Sequence, residues 1–213
     1  MTDSSKTLIA ALLDRSGSMC TSVQATEDGW REIIDGQRAG SGQCQVTLAQ
    51  FDSEYEVVYP ITEINAVPEF RLVPRGSTAL LDSAGRLITE VGEQLSAMPE
   101  EQRPGQLICL IMTDGHENDS RHWTWDALKA LITQQREVYN WEFIFLGADI
   151  DAIEVASRMG MDREYAMNFD KRNYNAQRGA FRSTMDVIDR KRRMGMSAGG
   201  GFDDEDRRKA MGQ

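Results

Sequence analysis

Asp14, Ser16 and Ser18 stand in the pentapeptide Asp14-Arg15-Ser16-Gly17-Ser18, directly after the apolar run Thr7 to Leu13. The run reads as a strand, so one carboxylate and two hydroxyls gather at its carboxyl end. A second carboxylate, Asp114, follows a second apolar run, Leu107 to Met112, in the same way. Where two such strands share a sheet, the fold brings both aspartates to one edge. The donors are then all oxygens with few formal charges, a set that suits Mg²⁺ or Mn²⁺ rather than Zn²⁺ or Cu²⁺. Gly17 between the two serines is expected to allow a tight turn that points both hydroxyls to one side.

The same pattern resembles the metal-ion-dependent adhesion site of von Willebrand factor type A domains, whose signature is Asp-x-Ser-x-Ser, then a Thr, then an Asp within Thr-Asp-Gly. Asp14, Ser16 and Ser18 match the first piece, Thr78 within Arg75-Gly76-Ser77-Thr78-Ala79-Leu80-Leu81-Asp82 the second, and Asp114 within Thr113-Asp114-Gly115 the third. The resemblance implies that Ser16 and Ser18 bind a Mg²⁺ or Mn²⁺ ion directly. It implies that Asp14, Thr78 and Asp114 bind it directly or through water, and that a partner protein's Asp or Glu carboxylate fills an open position. By element order it covers roughly residues 5 to 190, within the usual size of one domain. Taken singly, each piece also has an ordinary reading: Ser16 or Ser18 capping the next helix, and Asp114-Gly115 making a turn. Three pieces in the family's order favour the metal site.

The elements that must position these residues follow from periodicity. Thr7 to Leu13, Leu107 to Met112 and Phe143 to Leu146 are continuous apolar runs, as expected of strands covered on both faces. Gln45 to Phe51 and Tyr55 to Tyr59 alternate about Asp52-Ser53-Glu54 and predict a hairpin, hence one antiparallel edge. Helical stripes intervene: Val23, Trp30, Ile33 and Ile34; Leu80 to Leu95; Trp125, Leu128, Leu131 and Ile132; Ala152 to Met159. Tyr165 to Phe169 predicts a last short strand, and Phe181, Thr184, Met185 and Ile188 a closing helix, while Ala66 to Ser77, with Pro68 and Pro74, reads as a loop. The order predicts an α/β, doubly wound, Rossmann-like and mainly parallel sheet with helices on both faces. Ligands of such sheets bind beyond the strands' carboxyl ends, at the topological switch point, where Asp14 and Asp114 are placed.

Residues 1–193 are expected to form this domain, and 194–213, with Gly199-Gly200-Gly201 and Asp203 to Lys209, a flexible charged tail. The 213 residues carry a net charge of -10, which argues against nucleic-acid or anionic-membrane binding, since both need basic surface. No apolar stretch reads as a secretory signal or membrane span, so the expectation is a cytoplasmic chain. Three cysteines, Cys20, Cys44 and Cys109, imply no disulfide framework, and Cys109 within an apolar strand reads as a packed thiol.

Beside the site, His116, Glu117 and His122 are the candidates for general acid or base work, with a solvated loop as the plainer reading. A zinc site from Asp114, His116, Asp119 and His122 is conceivable but has no Cys partner and competes for Asp114. Asp82, four residues after Thr78, reads as a first-turn charge or a hydrogen-bond acceptor behind the site. Arg15 and Arg75 flank the metal loops as potential positive charge for an incoming carboxylate, and Trp123 offers a flat contact, whereas Trp125 fits a core stripe. The leading expectation is a non-enzymatic, metal-dependent protein-binding module. The alternative is a structural component of a bacteriophage or other assembly, since the chain looks like the compact, unfused type A domain proteins of bacteria and their phages. A Mg²⁺-dependent hydrolase has less support, because Ser16 replaces a second aspartate and no phosphate-binding Gly-rich loop follows any strand.

Overall fold

The structure, a computed structural model, describes residues 2–195 and 199–213. Its apolar runs become β1 (Asp3–Asp14), β4 (Pro104–Thr113) and β5 (Glu142–Gly147), and the expected hairpin is β2 (Gln43–Phe51) with β3 (Tyr55–Glu63). A short β6 (Ala166–Asn168) completes one sheet in the order β3-β2-β1-β4-β5-β6. All neighbours pair in parallel except β2 with β3, which makes β3 the antiparallel edge. The fold class expected from the sequence is the one observed.

Strand pleating divides the core. Leu8, Ala10 and Leu12 of β1 pack into one apolar cluster, and Ile9, Ala11 and Leu13 into the other, as period two requires. The odd-numbered face is covered by α1 (Val23–Ala39) and α5 (Tyr174–Met194), the even-numbered face by α2 (Leu80–Ala97), α3 (Trp125–Tyr139) and α4 (Ala152–Arg158). Helices α1 and α5 approach closely at Gly29, where an added Cβ would lie 2.3 Å from the Phe181 ring. Cys109 is fully buried in β4, and burial pushes its thiol up to about 12. Among the described residues no helix is long and apolar enough to cross a membrane.

The segment expected to be a flexible tail carries a further helix, α6 (Asp204–Ala210), started by a reciprocal capping box between Asp203 and Asp206. Phe202 (6% exposed) and Ala210 (0%) enter the core, and the Ala210 carbonyl accepts from Asp170 N–H at 2.9 Å. Composition hides this because two apolar anchors suffice to dock a seven-residue helix whose other side chains are charged. Positions 196–198 of the expected tail lie outside the described residues.

Candidate metal centre

Chain order makes β1 and β4 the pair at which the sheet reverses direction of growth, so the crevice at their carboxyl ends is the switch point. The register sets Leu13 beside Met112, which brings Asp14 and Thr113 to the same level and Asp114 just beyond. Asp14 is fully buried and Asp114 is 1% exposed. The Thr113 hydroxyl donates to Asp14 Oδ2 at 2.6 Å, and Ser16 N–H donates to Asp14 Oδ1 at 2.6 Å.

The hydroxyls of Ser16 and Ser18 lie 3.0 Å apart, and Ser18 Oγ donates to Asp114 Oδ1 at 2.5 Å. Neither serine caps a helix with its side chain: Ser16 precedes a short 3₁₀ turn (Gly17–Thr21) without a capping bond, and α1 starts after Ser22 without one. The capping reading of the two serines is therefore excluded by where their hydroxyls go. Thr78 is buried, and a Cβ built on Gly115 would lie 3.6 Å from Thr78 Oγ1 and 3.8 Å from Ser18 Oγ, so these two hydroxyls flank one point. All five expected ligands, Asp14, Ser16, Ser18, Thr78 and Asp114, thus converge at the end of β1 and β4.

Two clamps hold the pieces together. Asp52 Oδ2 accepts from Arg15 Nε at 2.8 Å and from Arg75 Nε at 2.7 Å, while Arg75 N–H donates to the Arg15 carbonyl and Gly17 N–H to the Gly76 carbonyl. These bonds fasten the Thr78 loop to the serine turn. Arg15 is 4% exposed and also reaches Glu56, so it is a buried brace and does not face an incoming carboxylate. Arg75, half exposed, is held by Asp52 and Glu54. Burial would raise the Asp52 carboxyl, but the Arg75 guanidinium, the Glu54 N–H and Arg15 outweigh it and hold it below the usual range. The left-handed position of this assembly is Gly76 (φ +69°), so the conformational freedom expected of Gly17 is used in the facing loop.

The second clamp joins the Asp114 loop to the start of α2. Glu117 accepts from the N–H groups of Leu81, Asp119 and Ser120 and from the Ser120 hydroxyl. Asn118 Oδ1 accepts from Thr78 N–H, and Asp82 accepts from the N–H groups of Arg121, His122 and Trp123. Asp82 is thus the acceptor behind the site that its position suggests. Glu117, a candidate acid or base, spends its carboxylate on the loop, and His116 and His122 are exposed. Among the described residues no group of three or more His, Cys, Asp and Glu side chains is arranged to hold a metal ion, so the conceivable zinc set does not assemble. Trp123 packs against α2, its ring 2.3 Å from where a Cβ on Gly85 would stand, and Trp125 lies beneath the Arg158 guanidinium at 4.0 Å.

Two residues at the site escaped the sequence reading. Lys171, in the turn after β6, donates from Nζ to Asp114 Oδ2 at 3.0 Å and pairs with Asp149 Oδ2 at 2.8 Å. Asp149 follows β5 at the same sheet edge as Asp14 and Asp114, so the rule that found those two would have found it. Burial would lower the Lys171 ammonium, but its bonds to Asp149 and Asp114 raise it overall.

Burial pushes the Asp14 carboxyl up to about 6, against hydrogen bonds from Thr113 and Ser16 that lower it, with the nearby Asp114 charge adding to the rise. A buried carboxylate whose hydrogen bonds do not offset its desolvation is neutralised either by a proton or by a cation. The donor set, two carboxylates and three hydroxyls with an ammonium already drawn to one carboxylate, fits a hard divalent ion.

No protein-family model matches the sequence, and no curated protein does. Solved structures match at the level of fold. A von Willebrand factor type A protein from Catenulispora acidiphila aligns with a TM-score of 0.58 at 16% identity, over 84% of this chain and 42% of that one. Proximal thread matrix protein 1 of the mussel byssus aligns with a TM-score of 0.61 at 15% identity, over 87% of this chain and 48% of that one. The von Willebrand factor domain of the type V pilus tip protein Mfa5 from Porphyromonas gingivalis aligns with a TM-score of 0.57 at 11% identity, over 92% of this chain and 98% of that one. The chain spans less than half the length of the first two. Strand order, antiparallel edge and these alignments agree: the chain has the von Willebrand factor type A fold.

Proposed function

We propose that this protein is a metal-dependent protein-binding module, in which Asp14, Ser16, Ser18, Thr78 and Asp114 hold a Mg²⁺ or Mn²⁺ ion that receives an Asp or Glu carboxylate from a partner. The observation that carries the reading is the meeting of Ser16, Ser18 and Asp114, with Ser16 Oγ 3.0 Å from Ser18 Oγ and Ser18 Oγ 2.5 Å from Asp114 Oδ1, at the end of the strand that also ends in buried Asp14. Two aspartates neutralise the ion's formal charge and the hydroxyls add none, so the ion stays electrophilic toward an anionic ligand. A pilus adhesin from Lactobacillus rhamnosus and the Mfa5 pilus tip domain among the structural neighbours accord with an adhesion role at the level of fold. The absence of catalysis is part of the proposal: the carboxylate of Glu117 is committed to its own loop and to α2.

The test is capture of partners from the host lysate by wild type and Asp14→Ala, each in Mg²⁺ and in chelator. The expected result is a partner kept by wild type in Mg²⁺ alone. Partners kept equally under all four conditions overturn the reading in favour of an assembly component, of a phage or another particle, whose metal only steadies loops. Phosphoesterase activity that requires both Mg²⁺ and Asp14 would support the hydrolase reading instead.

A further inference from the structure

We infer that Lys171 is the site's built-in counter-cation, a positioning residue that holds Asp114 when no divalent ion is bound and weakens metal binding by competing for that carboxylate. The inference rests on the metal reading proposed above. Lys171 Nζ lies 3.0 Å from Asp114 Oδ2, 3.4 Å from the Asp114 carbonyl oxygen and 2.8 Å from Asp149 Oδ2. Its side chain is 11% exposed and that of Asp114 is 0% exposed, so their attraction is little screened by solvent. The other Asp114 oxygen, Oδ1, accepts from Ser18 Oγ. One carboxylate therefore faces the serine hydroxyls with one oxygen and the ammonium with the other.

The turn that presents Lys171 is fixed on several sides. Phe169 N–H donates to the Gly147 carbonyl, Asp170 N–H to the Ala210 carbonyl of α6, and Asn173 N–H to the Asp170 carbonyl, while the Asn173 side chain caps α5. The partner carboxylate is also held in place. Asp149 adopts a left-handed conformation (φ +54°), and on either side of it Ala148 N–H donates to the Thr113 carbonyl and Asn168 Nδ2 to the Ile150 carbonyl. With both loops fixed, the ammonium itself is what moves when a divalent ion claims Asp114. Two cations that need the same buried carboxylate oppose one another, and removing one strengthens binding of the other. Asp149, half exposed, offers the displaced ammonium a second anchor.

The test measures binding of Mn²⁺ and Mg²⁺ by titration calorimetry to wild type, Lys171→Gln, Lys171→Arg and Asp14→Ala. The inference expects Lys171→Gln to bind at least tenfold more tightly than wild type, and Lys171→Arg, which keeps the charge, to stay within about threefold of it. Equal or weaker binding by Lys171→Gln, with wild type binding normally, overturns the inference and leaves the metal site standing. Binding by Lys171→Gln alone supports it in its strongest form, a site closed by its own lysine. If no chain binds either ion, or if Asp14→Ala binds as wild type does, the metal reading itself fails and this inference with it. Thermal unfolding of the metal-free chains checks that each variant is folded.

Discussion

Asp14 is where stability and function pull in opposite directions. Burial raises its carboxyl from 3.8 to about 6, so the metal-free fold disfavours the charge that the proposed metal requires. The sign follows: between about pH 4 and pH 6 the folded chain holds a proton at Asp14 that the unfolded chain has released, so this residue's contribution to stability falls as pH rises through that window. At one unit to about 1.4 kcal/mol, the effect is on the order of 3 kcal/mol above pH 6. Asp14→Asn removes the charge and keeps one acceptor for Thr113 or Ser16, at a cost of about 1 kcal/mol for the altered hydrogen bonding. In chelator the variant is therefore expected to be about 1–2 kcal/mol more stable than wild type at pH 7, with the gain vanishing near pH 4; urea unfolding at the two pH values measures this. A variant less stable than wild type at both would show that Asp14 is held by its hydrogen bonds alone. Because the ion binds the ionised form, metal affinity is also expected to fall as pH drops below about 6. The convergence of Asp14, Ser16, Ser18, Thr78 and Asp114 was legible because each follows an apolar run or matches a motif piece. Lys171 was not, since its value lies in a contact 57 residues away with Asp114 that no local pattern announces.

Among the elements, the strands and helices were legible for a plain physical reason: runs such as Leu107 to Met112 are apolar throughout because both faces of β4 are covered. The clamp that sets the Thr78 loop was not legible, since Arg15 and Asp52 are 37 residues apart and both read as loop charges. Asp52→Asn leaves the Arg15 guanidinium buried with only Glu56 as a charged partner and Arg75 with only Glu54. A cost of about 3 kcal/mol is expected at neutral pH. Asp52 is held below its ordinary range, so its stabilising contribution is present above pH 3.8 and lost as pH falls through the lower folded value; the gap between wild type and variant should narrow in acid. Denaturant curves at pH 7 and pH 3 check this, and a gap that persists unchanged in acid would place the cost in packing. Helix α6 yields to the same reasoning. Phe202→Ala removes a large apolar side chain by which this segment enters the core, and about 3 kcal/mol of destabilisation is expected, with faster amide exchange confined first to 202–211. Exchange in α6 already as fast as in an unfolded peptide would show that the helix is not docked in solution.

At the scale of the molecule, the loops after β1, β4, β5 and β6 and the Thr78 loop meet at one edge of the sheet, supplied by elements from both ends of the chain. An ion that binds there binds only the folded state, since Asp14 and Asp114 are 100 positions apart in the unfolded chain. Mass action then raises stability by about 2.7 kcal/mol when free metal is a hundred times its Kd, which for a chain of this size is a rise in Tm of roughly 5–10 °C. The net charge of -10 gives a competing explanation, because any salt screens self-repulsion and raises Tm without a site. The two are separated by holding ionic strength constant with NaCl while Mg²⁺ is varied. Site binding predicts that wild type continues to gain Tm with the logarithm of Mg²⁺ concentration, that Asp14→Ala gains nothing, and that Lys171→Gln gains from lower concentrations than wild type. Screening predicts one small shift shared by all three chains, and that outcome would leave this edge of the sheet as a hydrogen-bonded rim with no metal function.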